Sequence, residues 1–140
     1  MRLHIIARGK IGRSAEAELV QRYVKRMQWP LVITELPDRG GTVPAAPPAS
    51  RTVILDETGG QYGSQELARM LDHWRNDGVR ETRFMIGAAD GFDASERADA
   101  DVLLAFGKAT WPHLLARAML AEQLYRATSI LAGHPYHREG

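Results

Sequence analysis

The chain has no cysteine among its 140 residues. That excludes disulfides, thiolate metal sites and cysteine nucleophiles together. No stretch approaches the roughly 20 apolar residues that span a bilayer. The opening "MRLHIIARGK" has too short an apolar run to serve as a signal peptide. The cytoplasm is the expected compartment, with no membrane partner. Phosphate-binding signatures are missing as well. "GKAT" has Ala109 after Lys108 and no glycine six positions before that lysine, so it is not a P-loop, and no G-x-G-x-x-G occurs. Ser64, Ser95 and Ser129 lack the G-x-S-x-G setting of an activated serine. His134 and His137 stand three apart, but nothing in the spacing supplies further zinc ligands, so no metal is expected.

What is present fits one soluble domain spanning 1–140. Apolar residues make up 44% and charged residues 25%, and the length supports a core without staples. The net charge of +1 hides an uneven distribution. Residues 1–51 carry nine Lys/Arg against four Asp/Glu, whereas residues 52–112 carry six against eleven. Such asymmetry can build a basic face on a nearly neutral protein, but taken alone it is better read as solvated charges. Arginine outnumbers lysine fifteen to three, which suits phosphate recognition or reflects base composition.

Strands and helices alternate along the chain. "RLHIIAR" (2–8) reads as a strand, and residues 14–27 place Ala17, Val20, Val24 and Met27 at helical spacing. "LVITELP" (31–37) is a second strand. Three prolines and two glycines make residues 38–50 an exposed loop. "RTVILDE" (51–57) is a third strand, central by its continuous apolar character. "TGGQYG" turns, and Ser64 caps a helix over 65–76. "TRFMIG" (82–87) is a fourth strand. "DASE" (93–96) has the pattern of a capping box before a short helix. "DVLLAF" (101–106) is a fifth strand, and Pro112 opens a long helix reaching about residue 131. The class is α/β with a mostly parallel sheet flanked by helices.

In such sheets ligands bind beyond the carboxyl ends of the strands. Three strand ends run into glycine-bearing loops, "LDETGG", "IGAADGF" and "FGKATWP". One such loop is a tight turn; three of them, each followed by a helix, favour a shared ligand cleft. The last helix places Leu115, Met119, Glu122 and Arg126 three or four apart. The tail "GHPYHREG" adds Tyr136, His137 and Arg138. Glu122 and Arg126 also fit an ordinary i, i+4 surface pair, and Tyr136 a packed aromatic with a wet hydroxyl.

Taken together, "LDETGGQYGSQELARML", "FMIGAADGF", "FGKATWPHLLARAMLAEQLYRATSI" and "HPYHRE" resemble the RlmH family of 23S rRNA pseudouridine N3-methyltransferases, of the SPOUT class. The resemblance runs in order along the whole chain and is strongest from Leu55 onward. It departs at Ala88 and Gly107, where the family often has glycine and serine. It implies a C-terminal trefoil knot, a working homodimer, S-adenosyl-L-methionine as cofactor, and 23S rRNA within the assembled ribosome as substrate. It also implies cofactor contacts at Leu55, Gly87, Phe106, Gly107, Lys108, Ala109, Thr110 and Trp111, on the same three strand ends.

Methyl transfer to an imide nitrogen needs positioning and a base for the departing proton. The candidate catalytic set is His137 as base, Arg138 or Arg126 to stabilise the developing anion or hold a phosphate, Glu122 to orient Arg126 or act as an alternative base, and Tyr136. In a dimer this tail would complete the partner's site. The basic residues Arg2, Arg8, Lys10, Arg13, Arg22, Lys25 and Arg26 form a candidate phosphate surface. Two rivals remain. A non-catalytic ribosome-associated factor of the same fold would not bind the cofactor, and a flavodoxin-type protein would retain flavin.

Overall fold

The computed structural model describes residues 1–138; Glu139 of the terminal motif lies outside the described residues. Five strands alternate with four helices: β1 (Arg2–Arg8), α1 (Ala15–Arg26), β2 (Leu31–Leu36), β3 (Ser50–Gln61), α2 (Ser64–Asn76), β4 (Glu81–Ile86), α3 (Ala94–Asp99), β5 (Val102–Ala105) and α4 (His113–Leu131). The sheet order is β2-β1-β4-β3-β5, and each adjacent pair is parallel. The expected interior position of β3 holds: it lies between β4, the middle strand, and the edge strand β5.

Helix starts follow local chemistry. Ser14 accepts from the Ala17 amide and caps α1, with Glu16 and Glu18 in the first turn and Lys25 and Arg26 in the last. Asp93 and Glu96 form the expected reciprocal box at α3. Ser64 does not cap α2. It is the first helical residue, and the Gly63 amide is satisfied by Glu66 instead. The Ser64 hydroxyl donates to Gln123 on α4. Pro112 occupies the cap position of α4 rather than its first turn.

The α4 helix sits between α1 and α2. Leu120, Leu124 and Ala127 join Leu67, Leu71 and Trp74 of α2 over the sheet residues Leu3, Ile5, Val53 and Phe84. Ala118 and Ala121 face Val20 of α1. A helix enclosed on two sides has no polar stripe to spare, which explains the run of alanine and leucine around α4. The proline-rich segment is not simply an exposed loop. Arg83 alternates with Phe84 on β4 and points to the opposite face, where it donates to the Pro44 carbonyl. Pro44 and Pro47 are half-buried there.

The main departure from expectation is β3. The segment read as a turn, "TGGQ", belongs to this strand. Leu55 pairs with Leu104 of β5, and Gly60 pairs with Leu104 again, so Asp56–Gly59 loops out as a bulge. Gly59 makes this possible, because a Cβ there would lie 2.5 Å from the Leu103 backbone. Bulges of this kind commonly redirect side chains beside active sites.

Candidate active site

Two cavities open where β3, β4 and β5 end. The first holds about 600 Å³. Its walls come from the β3 bulge (Asp56, Glu57, Thr58), the β4–α3 loop from Gly87 to Phe92, and the β5–α4 loop from Phe106 to Pro112. His113 and Ala116 of α4 close one side. Of the expected cofactor residues, Leu55, Gly87, Phe106, Gly107, Ala109, Thr110 and Trp111 all line this cavity. Lys108 does not; it is exposed at the loop tip. The loops are tied together across the opening. Thr110 donates to Glu57 at 2.6 Å, and the Trp111 indole donates to the Phe106 carbonyl at 2.9 Å.

Gly87 is needed for close packing. An added Cβ would lie 3.1 Å from the Phe92 ring and 3.3 Å from the Gly91 backbone. Gly107 has φ +95 with open space around it, so its role is the left-handed backbone itself. Asp56 was not foreseen from the sequence. Its side chain is 10% exposed, and Arg97 lies 3.8 Å away. Hydrogen bonds from Thr58 to Oδ1 hold its carboxyl below the usual range, overcoming the opposing effect of burial.

The second cavity, about 610 Å³, lies on the other side of the β5 terminus. It shares Ala105, Phe106 and Gly107 with the first, and continues along Tyr62, Leu115, Met119 and Glu122 to Tyr23 on α1. The expected catalytic residues gather beside its Glu122 end. Arg126 donates through Nε to Glu122 Oε1 at 2.8 Å, and Nη2 lies 2.6 Å from the same oxygen. Tyr136 donates to that oxygen at 3.2 Å. The guanidinium of Arg126 stacks over the Tyr136 ring at 4.8 Å, and Tyr125 meets that ring edge-on at 4.7 Å. Arg126 Nη1 lies 3.1 Å from His137 Nδ1. Arginine has no acceptor, so Nδ1 must accept. Arg138 is exposed. The tail is therefore pinned, and on its own α4.

Charges here shift in one direction. The Glu122 hydrogen bond raises Arg126 above its usual value, against the effect of burial. Burial, reinforced by the Tyr23 phenol and the Glu122 carboxylate, pushes Tyr136 up to about 12. Tyr136 is thus a donor at neutral pH.

The candidate phosphate surface is smaller than its arginine count. Arg2 is ion-paired with Glu81, and Arg8 donates to the carbonyls of Pro37 and Gly40. Lys10, Arg13, Arg22, Lys25 and Arg26 are exposed.

Two residues missed in the sequence lie behind the first cavity. Arg117 on α4 is 1% exposed; it reaches Glu35 at the end of β2 at 2.5 Å and the Gly9 carbonyl at 3.0 Å. His113, one turn earlier, lies against Gly9. The sequence offers only a weak hint, a single arginine in the alanine- and leucine-rich run 114–121.

Residues 1–137 match the family model described as "Predicted SPOUT methyltransferase". The chain is 68% identical over 140 residues to the ribosomal RNA large subunit methyltransferase H of Rhizorhabdus wittichii, covering all of both chains. It is 70% identical over 143 residues to the protein of that name from Novosphingobium aromaticivorans, again covering all of both. The corresponding protein of Paramagnetospirillum magneticum is 43% identical over 151 residues, with 99% of each chain covered. The chain belongs to the SPOUT methyltransferase family, among the relatives named ribosomal RNA large subunit methyltransferase H, and its parallel α/β sheet is that family's knotted fold.

Proposed function

We propose that this chain is a 23S rRNA pseudouridine N3-methyltransferase, one domain acting as a cytoplasmic homodimer on the assembled ribosome, with S-adenosyl-L-methionine in the first cavity. The observation that carries the reading is the junction at Ala105–Gly107, where a glycine-walled cavity meets a second one leading to the Glu122–Arg126–Tyr136–His137 cluster. A donor site and an acceptor site that share one wall are what in-line transfer between two bound molecules requires.

The residues of the first cavity fit the cofactor. Leu55, Ile86, Leu104 and Phe106 supply an apolar surface for adenine, and the close packing at Gly87 brings backbone near the ligand. The volume lies within the range of small-molecule sites, about 300–1,000 Å³. When bound, the cofactor supplies an electrophilic methyl group on a sulfonium.

The chain's own residues handle the acceptor. Tyr136 and Glu122 fix Arg126, whose guanidinium stabilises the anion that develops on the imide. Arg126 can release His137 through Nη1 while Nε and Nη2 keep the Glu122 pair. His137 Nδ1 then takes the imide proton. Lys10, Arg13, Arg22, Lys25 and Arg26 hold rRNA phosphates.

The test is transfer of labelled methyl from S-adenosylmethionine to purified ribosomes lacking the modification, with free rRNA in parallel. Incorporation at a single pseudouridine on ribosomes is expected. No incorporation on either substrate, with folded protein and bound cofactor, would overturn the reaction.

A further inference from the structure

We propose that Asp56 makes the first cavity selective for the charged methyl donor over its neutral product. The inference rests on S-adenosylmethionine being the ligand of that cavity. It adds which residue recognises the donor's charge.

The acidic middle of the chain contributes three carboxylates to this cavity, from Asp56, Glu57 and Asp90, against the single arginine Arg97. They are not equivalent. Asp90 is 83% exposed and pairs with Arg39. Glu57 is exposed and takes the Thr110 hydroxyl. Only Asp56 is sunk into the wall. Its Oδ1 accepts from both the amide and the hydroxyl of Thr58. Its Oδ2 accepts no hydrogen bond from any described residue; the Arg97 guanidinium at 3.8 Å is beyond hydrogen-bond reach and more exposed. Oδ2 therefore opens into the cavity with its charge only partly countered by Arg97, and a cation placed there is attracted to it.

The donor and the product differ by that kind of charge. S-adenosylmethionine carries a sulfonium and an ammonium against one carboxylate. In the reaction the S–CH3 bond breaks and the sulfur keeps its electron pair. The methyl carbon bonds to the acceptor nitrogen, and the imide proton leaves to the base. S-adenosylhomocysteine is then a neutral thioether with the same adenosine and amino-acid parts. The apolar and hydrogen-bonding contacts act on both ligands alike, whereas the charges tell them apart: Asp56, the least exposed of the three carboxylates, favours the donor, and Arg97 opposes it. A full charge at close range outside bulk water is worth roughly fivefold or more in relative affinity. The product is thereby less firmly held once the methyl group has moved.

The experiment is calorimetric titration of the full chain with S-adenosylmethionine, S-adenosylhomocysteine and sinefungin, which carries an amine in place of the sulfonium. The unaltered chain should bind the donor about fivefold more tightly than the product, with sinefungin following the donor. Asp56→Asn should bring that ratio near one by weakening the donor and sinefungin alone. Arg97→Gln removes the neighbouring cation and should raise the ratio, so the two substitutions move it in opposite directions. Equal weakening of all three ligands by Asp56→Asn, or no preference in the unaltered chain, would overturn the proposal. Failure of the unaltered chain to bind any of the three would overturn the cofactor reading, and this inference with it.

Discussion

The hydroxyl of Tyr136 donates to the Glu122 carboxylate across 3.2 Å, joining the chain's tail to the helix that precedes it. The same oxygen holds Arg126, and Arg126 holds His137. The phenol is thus one fixed point of the proposed acceptor site. Tyr136→Phe keeps the ring against Tyr125 and Arg126 and removes only the hydrogen bond. It should cost about 1 kcal/mol of stability and leave cofactor affinity unchanged. Single-turnover methyl transfer should fall roughly tenfold, as Arg126 loses its fixed geometry. Because the phenol is pushed up to about 12, the rate of the unaltered enzyme should show no new limb near pH 10. An unchanged rate in Tyr136→Phe would remove the tail from the mechanism.

Arg117 and Glu35 should behave as a pair with one buried half, the arginine, and one half at the surface. Arg117 has no water to return to, and its Nε has no hydrogen-bond partner among the described residues. Glu35→Gln leaves that charge nearly uncompensated and should cost roughly 3 kcal/mol in urea denaturation. Arg117→Met alone leaves Glu35 partly in solvent and should cost less. Adding Arg117→Met to Glu35→Gln should recover most of the loss, since an apolar replacement of both charges is often close to neutral. If the two losses simply add, the pair is not coupled in this way.

The alternation of short apolar runs with helical stretches made the order of elements legible from sequence, because each element's local pattern agrees with its place in the fold. The three strand ends of the first cavity were legible for the same reason: glycine marks where backbone must turn or come close. What could not be read depends on distance in sequence. The β3 bulge exists because Gly59 lies against Leu103, a contact between strands that no local pattern encodes. Asp56 looked like an unremarkable strand end until the bulge placed it in the cavity wall. Lys108 looked like a ligand-facing lysine, but the ties of Thr110 and Trp111 leave it at the exposed tip. The burial of Arg117 follows from α1 and α2 enclosing α4, which is a tertiary fact.

Gly59→Ala tests the bulge directly. A Cβ at 2.5 Å from backbone atoms cannot be relieved by a side-chain rotation, so β3 or β5 must shift. The stability cost should be roughly 1–3 kcal/mol, as for overpacking elsewhere. Both cavities share the β5 terminus, so affinity for the cofactor should fall together with stability. A variant that is destabilised but binds the cofactor normally would show that the bulge does not set the cavity wall.

The opposite end of the sheet carries a pH response. His4 is buried on β1, with Nε2 2.7 Å from the Thr34 hydroxyl and Nδ1 3.4 Å from Glu81. Glu81 is also paired with Arg2, and Arg83 Nε lies 3.0 Å from its other oxygen. Burial lowers the His4 pKa from its ordinary 6.5, helped by Arg83 and Arg2 and opposed by Glu81. For Glu81, burial acts upward, but hydrogen bonds and charge from Arg2 and His4 bring it below 4.5. Both folded pKa values are depressed, so below each ordinary value the unfolded chain binds a proton that the folded chain resists. Stability should be fully present above pH 6.5, decline as His4 is forced toward its charged form, and decline again below 4.5 as Glu81 protonates. Urea denaturation at stepped pH values should show the first decline in the native chain. His4→Gln should abolish it while keeping the second, because glutamine has no proton to gain. A native chain equally stable on both sides of pH 6.5 would mean that the Glu81 carboxylate offsets the burial of His4 completely.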